Sequence, residues 1–559
     1  MSDSRPAGRP WFSSYDQGVP ASLAYEQITV VEAVKRAAAL FPGKDAVVCQ
    51  GFSLTYAELA DQMDSLAAAL ASFGLAKGDR AAILLPNGVP AVIAYFAVLS
   101  LGCVAVFGNP DFSDRELSHL LNDSGCKLAI ALDLDANRLI DLRPLTSARQ
   151  IVVAGLGDFL PFPRSLLFPL LARKKGLSAD VKKAQDVYRF KDLLQRSAPT
   201  PPAVSIELSD PACFSYTGGT TGIAKGVVLT HENLAVNVQQ IAAWFPFLQK
   251  GGETVLGALP FFTALGLTAV VNLSAWMAAT VAVATGATGE DLVAALKKTK
   301  PTFAPLTPNL VAALAAHPEL APGSLKAAFS SGAAVDPETL KAFEEKAGAP
   351  VIEAYGLTEA SPLVCANPSG GSRKAGSLGL PLPDTDCRLV DIALGEDDVP
   401  SGEPGELIVR GPQVMAGYWN NNEETNEALR DGWLFTGDIA TVDPDGFFFL
   451  TDRKKDLIVS GGLNVYPKEV EEVLCSHPKI VEACALGIPH PIRGEAVKVF
   501  AVIAPGETAS EEEIILFLKE RLAPFKLPAE IEFRENLPKS NVGKILKKEL
   551  KEQEGNRGR

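Results

Sequence analysis

The sequence predicts an α/β protein. A large N-terminal domain of layered α/β sheets carries a small β-barrel-like subdomain, and a small α+β domain follows. Three observations lead there. Helical patterns alternate with short apolar strands through the first third of the chain, the rhythm of a layered sheet. The rhythm resumes after Glu253 and runs to Ser330. From Gly376 onward, short strands are separated by Pro/Gly turns, and after Lys455 a charged segment begins.

Taken in order, residues 30–40 read as a helix, 45–49 as a strand and 55–73 as an amphipathic helix. Residues 81–85 read as a strand and 91–101, nearly all apolar, as a buried helix. Residues 159–175 set an apolar stretch beside Arg173, Lys174 and Lys175. Their prolines argue against a long regular helix. A surface loop packed on the body is the favoured reading, and contact with a membrane surface is the alternative. Strands follow at 254–259, 280–284, 302–306 and 327–330. Between Glu253 and Glu290 no residue is charged, and residues 265–284 are long enough to span a bilayer. They are rich in Ala, Thr and Gly and carry Asn272, so a buried helix followed by a buried strand is expected. Residues 376–450 read as all-β, with strands at 387–390, 406–409 and 446–450. Helices are expected near 468–475 and 511–521, and the polar residues 552–559 are expected to be disordered.

At 559 residues the chain is too long for one hydrophobic core. Its 47% hydrophobic and 21% charged residues are those of an ordinary globular protein. A net charge of −14 argues against a nucleic-acid partner. The cysteines at 49, 103, 126, 213, 365, 387, 475 and 484 contain no C-x-x-C pair, which speaks against a zinc site or disulfide framework. That usage and the lack of a secretory signal pattern suit the cytoplasm.

The densest chemistry lies at 216–226. Glycines there let backbone N–H groups approach a ligand, and Thr217, Thr220, Thr221 and Lys225 add donors. A polyphosphate suits that supply. Gly226 follows Lys225, so this is not a Walker A loop. In Tyr355-Gly356-Leu357-Thr358-Glu359 a carboxylate follows a strand end, placed to hold Mg²⁺ against a phosphate. Asp438, in a Gly-rich turn, offers acceptors to ribose hydroxyls. The runs 452–456, 461–467 and 537–545 complete the series. Each has a bland reading alone, as an acidic turn, a solvated charge run, a glycine bulge or a basic tail. Their joint order is what points to one chemistry.

In that order the motifs resemble the adenylate-forming (AMP-binding) superfamily of acyl- and aryl-CoA ligases, peptide-synthetase adenylation domains and beetle luciferase. The likeness spans almost the whole chain. It is closest to the bacterial long-chain fatty acid–CoA ligases, through residues 10–20, 109–117 and 120–125, Gly218 and Ala224 in the loop, and 431–467. The resemblance implies ATP, Mg²⁺ and CoA as cofactors and a fatty acid as substrate. Thr217, Gly218, Gly219, Thr220, Thr221, Gly222 and Lys225 would cover the β- and γ-phosphates. Gly332, Ala333, Ala334, Ala354 and Tyr355 would frame the adenine. Thr358 would contact the α-phosphate and Glu359 would hold Mg²⁺, while Asp438 and Arg453 would bind the ribose. Lys455 matches a hinge between an adenylation domain at 1–455 and a mobile domain at 456–559. Lys544 matches the lysine that bridges carboxylate and α-phosphate, and Gly461 and Gly462 would line the pantetheine tunnel. Phe262 and Thr263 would lie at the acyl pocket, Thr263 standing where relatives usually have His.

The implied reaction is ATP-dependent formation of an acyl-adenylate and then an acyl-CoA, releasing AMP and pyrophosphate. A medium-chain or aromatic acid ligase is the nearest alternative. An acyl-adenylate ligase serving a carrier protein, a non-catalytic acyl-nucleotide-binding module and a phosphotransferase rank lower. Peripheral association with the inner membrane face and an oligomeric assembly stay open.

Overall fold

The computed structural model describes residues 9–196, 200–217, 224–460, 463–491, 493–539 and 545–557. It divides into two compact units, Met1–Asp386 with Val409–Leu434, and Cys387–Ile408 with Phe435–Arg559.

The larger unit holds two sheets. In one, the parallel strands Pro211–Thr217, Val104–Phe107, Arg80–Leu84, Leu128–Leu132, Gln150–Ala154 and Val187–Arg189 lie side by side. Lys225–Thr230 and Gly417–Tyr418 extend it antiparallel. In the other, Val351–Gly356, Ala327–Ser331, Phe303–Leu306, Thr254–Gly257, Thr280–Val283 and Asp45–Cys49 run parallel between antiparallel edges. Strands such as Leu128–Leu132 are buried at every position, as a sheet covered on both faces requires.

Local chemistry starts the helices. Thr29 with Glu32, Thr55 with Glu58, Ser113 with Glu116 and Thr230 with Asn233 each close a capping box, a device in which the cap alone contributes about 1 kcal/mol. Val89–Ser100 has no polar face and is buried all round. The uncharged stretch after Glu253 forms a buried helix and strand, as expected. The helix is not regular: Ala264–Gly266 leads into a π-turn at Leu267–Asn272 before Leu273–Met277. Such turns re-aim side chains and often mark functional sites.

The smaller unit contains the antiparallel pairing of residues 438–442 with Phe448–Arg453. It also contains a sheet in which Gly494–Ile503 lies between Ile458–Ser460 and Ile480–His490. Helices Pro467–Cys475 and Glu511–Lys519 cover a core that includes Ile458, Val470, Leu474, Val499 and Leu518.

Four expectations need correction. Residues 159–175 contain a short helix, Arg164–Ala172. The all-β stretch includes the helix Asn422–Ala428, capped by Asn421. Asp438 lies inside a strand, not in a turn. The polar C-terminal end forms the helix Lys547–Arg557. Leu550, fully buried among Cys484, Leu486, Phe500, Val502 and Leu537, anchors that helix. Glu554 meets the buried Lys498 at 2.6 Å. One apolar residue and one carboxylate leave no helical periodicity to read in the sequence.

Candidate active site

In the larger unit, Ser331 stands opposite Ala354 across the parallel strands. The turn Gly332, Ala333, Ala334 and the pair Ala354, Tyr355 therefore leave the sheet side by side at its C-terminal edge, where open α/β sheets bind ligands. Gly332 has φ +106° with open space around it, so conformation and not crowding asks for glycine. The buried Glu353 holds this turn. Its two oxygens accept hydrogen bonds from Val335 N and Gly376 N, each at 3.0 Å.

The next turn, Thr358–Ala360, follows the end of the strand Val351–Gly356. A side chain on Gly356 would approach the Pro362 carbonyl to 2.2 Å, so glycine is needed for space here. The backbone of Glu359 accepts from Met415 N at 2.8 Å, and its Oε1 accepts from the Tyr418 hydroxyl at 2.9 Å. Burial, with the Glu359 charge second, pushes the Tyr418 phenol up. It stays protonated at neutral pH and acts as a donor.

Lys225 reaches the same cluster. It pairs with Glu424, and its Nζ lies 5.5 Å from the centre of the Tyr418 ring. Burial lowers its ammonium, opposed by Glu359 and Glu427. Its backbone faces Thr217 as the last pair of a hairpin, so both ends of the Gly/Thr loop are pinned. Nearby, His119 Nε2 donates to the Ala224 carbonyl at 2.9 Å, and Tyr216 donates to Asp123 at 2.6 Å. Gly218, Gly219, Thr220, Thr221 and Gly222 lie outside the described residues.

Beside this cluster is a small apolar void of about 10 Å³, lined by Ile83, Leu85, Tyr95, Phe107, Phe261, Phe262, Leu267 and Val271, too small in this structure for an acyl tail. Thr263 caps the helix that forms one wall. Its Oγ1 accepts from Gly266 N at 3.1 Å and donates to Pro260 O at 2.7 Å. Thr268 Oγ1 donates to Ser361 O at 2.8 Å, tying the π-turn of the void's wall to the turn that carries Glu359.

In the smaller unit, Asp438 faces Arg453 across the hairpin, Oδ1 to Nε at 3.2 Å. Lys455 follows in the one-turn helix Lys454–Asp456. Lys454 meets the buried Glu406 at 2.7 Å. Gly461, Gly462 and Lys544 lie outside the described residues.

Glu353, Tyr418, Glu424 and Thr268 were not legible as site residues. Glu353 had a signal, a carboxylate inside the apolar strand Val351–Gly356. A charged group in such a strand needs partners. The others act across distant parts of the chain and carry no local mark.

The model of the AMP-binding enzyme family matches residues 34–419, and that of the AMP-binding enzyme C-terminal domain matches residues 469–544. A long-chain-fatty-acid–CoA ligase of Bacillus subtilis (strain 168) is 41% identical over 552 residues, covering 98% of each chain. One from Yersinia pestis is 37% identical over 557 residues, covering 97% of this chain and 98% of that one. Among solved structures, ATP-bound MatB from Rhodopseudomonas palustris superposes with a TM-score of 0.79 at 27% identity, covering 94% of this chain and 99% of that one. The chain belongs to the AMP-binding enzyme family.

Proposed function

We propose that the protein activates a fatty acid, long chains favoured, with ATP to an acyl-adenylate and passes the acyl group to CoA, releasing AMP and pyrophosphate. The observation that carries this reading is the hydrogen bond from Thr268 to Ser361. It couples the apolar wall around that small void, which would have to open for an acyl tail, to a turn bearing Glu359 and, through Tyr418, to Lys225. An acyl tail and a polyphosphate need those two environments side by side. The relatives named long-chain-fatty-acid–CoA ligase support the choice of acid.

A carboxylate is a poor acyl donor because its leaving group would be oxide. Its oxygen attacks the α-phosphorus of ATP, and pyrophosphate departs with the electron pair of the broken P–O bond. Negative charge gathers on the oxygens around phosphorus, and fixed donors answer it electrostatically. Thr358 and Lys544 serve the α-phosphate, and Lys225 with Thr217 to Gly222 serves the β- and γ-phosphates. Ala354, Tyr355 and the Gly332–Ala334 turn frame the adenine, while Asp438 and Arg453 take the ribose. Glu359 would hold a Mg²⁺ ion, which when bound would neutralise phosphate charge.

In the second step residues 456–559 rotate about Lys455, withdrawing Lys544 and presenting Gly461 and Gly462 to CoA. The thiolate attacks the acyl carbonyl, and AMP leaves. Among the described residues no helix is long and apolar enough to cross a membrane. Long acids partition into bilayers, so the reading includes peripheral contact with a membrane surface.

The test is nucleotide release with Mg·ATP and CoA across acids from acetate to oleate, with benzoate included. AMP and pyrophosphate with long chains are expected. AMP with short or aromatic acids would keep the chemistry and overturn the substrate. ADP, or no nucleotide release with any acid, would overturn the ligase.

A further inference from the structure

We propose that Glu424 sets the affinity of this site for polyphosphate: it holds Lys225 while the site is empty, and a polyphosphate must take the lysine from it. The proposal rests on the reading of Lys225 as the cation that serves the β- and γ-phosphates.

Lys225 opens the strand Lys225–Thr230, and Glu424 stands in the first turn of the helix Asn422–Ala428. The two side chains pair directly. Backbone and cap contacts fix the helix against the strand. Trp419 N donates to Gly226 O at 2.8 Å, and Tyr418 stands opposite Val227. Tyr418 N donates to Thr425 Oγ1 at 2.9 Å, and that hydroxyl donates to Asn421 O at 2.7 Å. Asn421 Oδ1 in turn accepts from Glu424 N at 3.2 Å. Gly417 closes the packing, because a side chain there would come within 2.8 Å of Thr425 Cγ2. Glu424 is thus held in a set place beside the lysine and is not a loose surface carboxylate.

The pair is neither buried nor free: the Lys225 side chain is 23% exposed and that of Glu424 32%. A fully buried pair could not part without stranding a charge, and a fully exposed one would hold little. Between these limits a carboxylate keeps an ammonium in place and still yields it to a more highly charged phosphate. Glu359 and Glu427 also act on the ammonium, opposing the effect of burial. The lysine therefore meets three carboxylates before any ligand arrives.

A ligand that needs the lysine binds only the fraction of molecules in which Glu424 has let go, so its apparent affinity falls by that fraction. The loss is borne by ligands that reach Lys225 and by no others. A triphosphate and pyrophosphate bear it, and AMP does not. When pyrophosphate leaves, Glu424 takes the lysine back, which favours release over rebinding. Removing the Glu424 charge should therefore tighten polyphosphate binding, a sign opposite to that of damage to the fold.

The test uses the full chain with inorganic tripolyphosphate, and AMP for comparison, read by isothermal titration calorimetry. Glu424→Gln keeps the size of the side chain and removes its charge. It should bind tripolyphosphate about fivefold more tightly than wild type and AMP equally well. In a Lys225→Ala background the same substitution should change nothing, the signature of an effect carried by this pair. Glu424→Asp keeps the charge, shortens the reach and should tighten binding by less. Equal or weaker tripolyphosphate binding by Glu424→Gln overturns the proposal. So does a gain that persists without Lys225, because the carboxylate would then repel anions at large. An equal gain for AMP overturns it likewise. Should Glu424→Gln fail to fold, Glu424→Asp decides by the same signs. Lys225→Ala alone separates the two readings. If it binds tripolyphosphate as tightly as wild type, the assignment of Lys225 to the phosphates falls and the proposal with it, whereas the other outcomes leave that assignment standing.

Discussion

The Tyr418 hydroxyl and the Glu359 carboxylate are held 2.9 Å apart from positions 59 residues distant in sequence. A hydrogen bond to a charged group contributes about 1.5–3 kcal/mol. Tyr418→Phe keeps the ring beside Lys225 and removes only the donor. The expected result is a loss of about tenfold to a hundredfold in the rate of ATP–pyrophosphate exchange, with little change in Tm. An unchanged exchange rate would show that Glu359 needs no orientation. A second residue reports on acid stability. His231 is fully buried, neither ring nitrogen has a partner among the described residues, and burial lowers its imidazole to about 4. The unfolded chain binds this proton near pH 6.5, so the contribution is complete above that pH and lost as pH falls to about 4. His231→Phe should flatten that limb of the Tm-versus-pH curve by up to ~3 kcal/mol. A mutant curve parallel to wild type would refute the assignment. Glu359 was visible in sequence because a carboxylate just past a strand end is locally recognisable. Tyr418 was not, because nothing near it in sequence betrays which distant oxygen it meets.

Elements were legible where their cause is local. Capping boxes and all-apolar runs are short-range facts, and the helices and parallel strands they announce appear close to the expected ends. The π-turn at Leu267–Asn272 carries no local mark in the sequence, and the residue before it, Gly266, makes a close tertiary approach. A side chain on Gly266 would come within 2.1 Å of the Pro260 carbonyl, so the helix enters its wall through a close backbone contact. Gly332 is glycine for its φ alone. Gly266→Ala should therefore lower stability by about 3 kcal/mol and Gly332→Ala by about 1 kcal/mol, compared by urea unfolding. Equal losses would mean that the contact relaxes. The C-terminal helix makes the same point from the other side. Leu550→Ala should cost the smaller unit about 3 kcal/mol, seen as faster hydrogen exchange in Gly494–Ile503, the strand that carries Phe500 and Val502 against it. Unchanged exchange would return this helix to the disordered tail its composition suggests.

At the scale of the molecule, the proposed chemistry asks one chain to serve two reactions whose needs conflict. Adenylation wants a cation, Lys544, against the α-phosphate, whereas thioester formation wants that position cleared for a thiol. A single rigid arrangement would compromise both, so the proposal assigns the change to backbone rotation at Lys455. Two substitutions separate the demands. Lys544→Ala removes the cation needed in the first step only. It should lower ATP–pyrophosphate exchange by about a hundredfold, from roughly 3 kcal/mol of lost electrostatic stabilisation, yet still convert supplied acyl-adenylate and CoA to thioester at near wild-type rate. Lys455→Pro fixes φ near −65° and impedes rotation. It should spare exchange and slow thioester formation. The opposite signatures are the test, because general damage to either variant would depress both half-reactions together. If Lys544→Ala lost both steps equally, the lysine would not be specific to adenylation. If Lys455→Pro slowed both equally, the rotation would lie elsewhere in the chain.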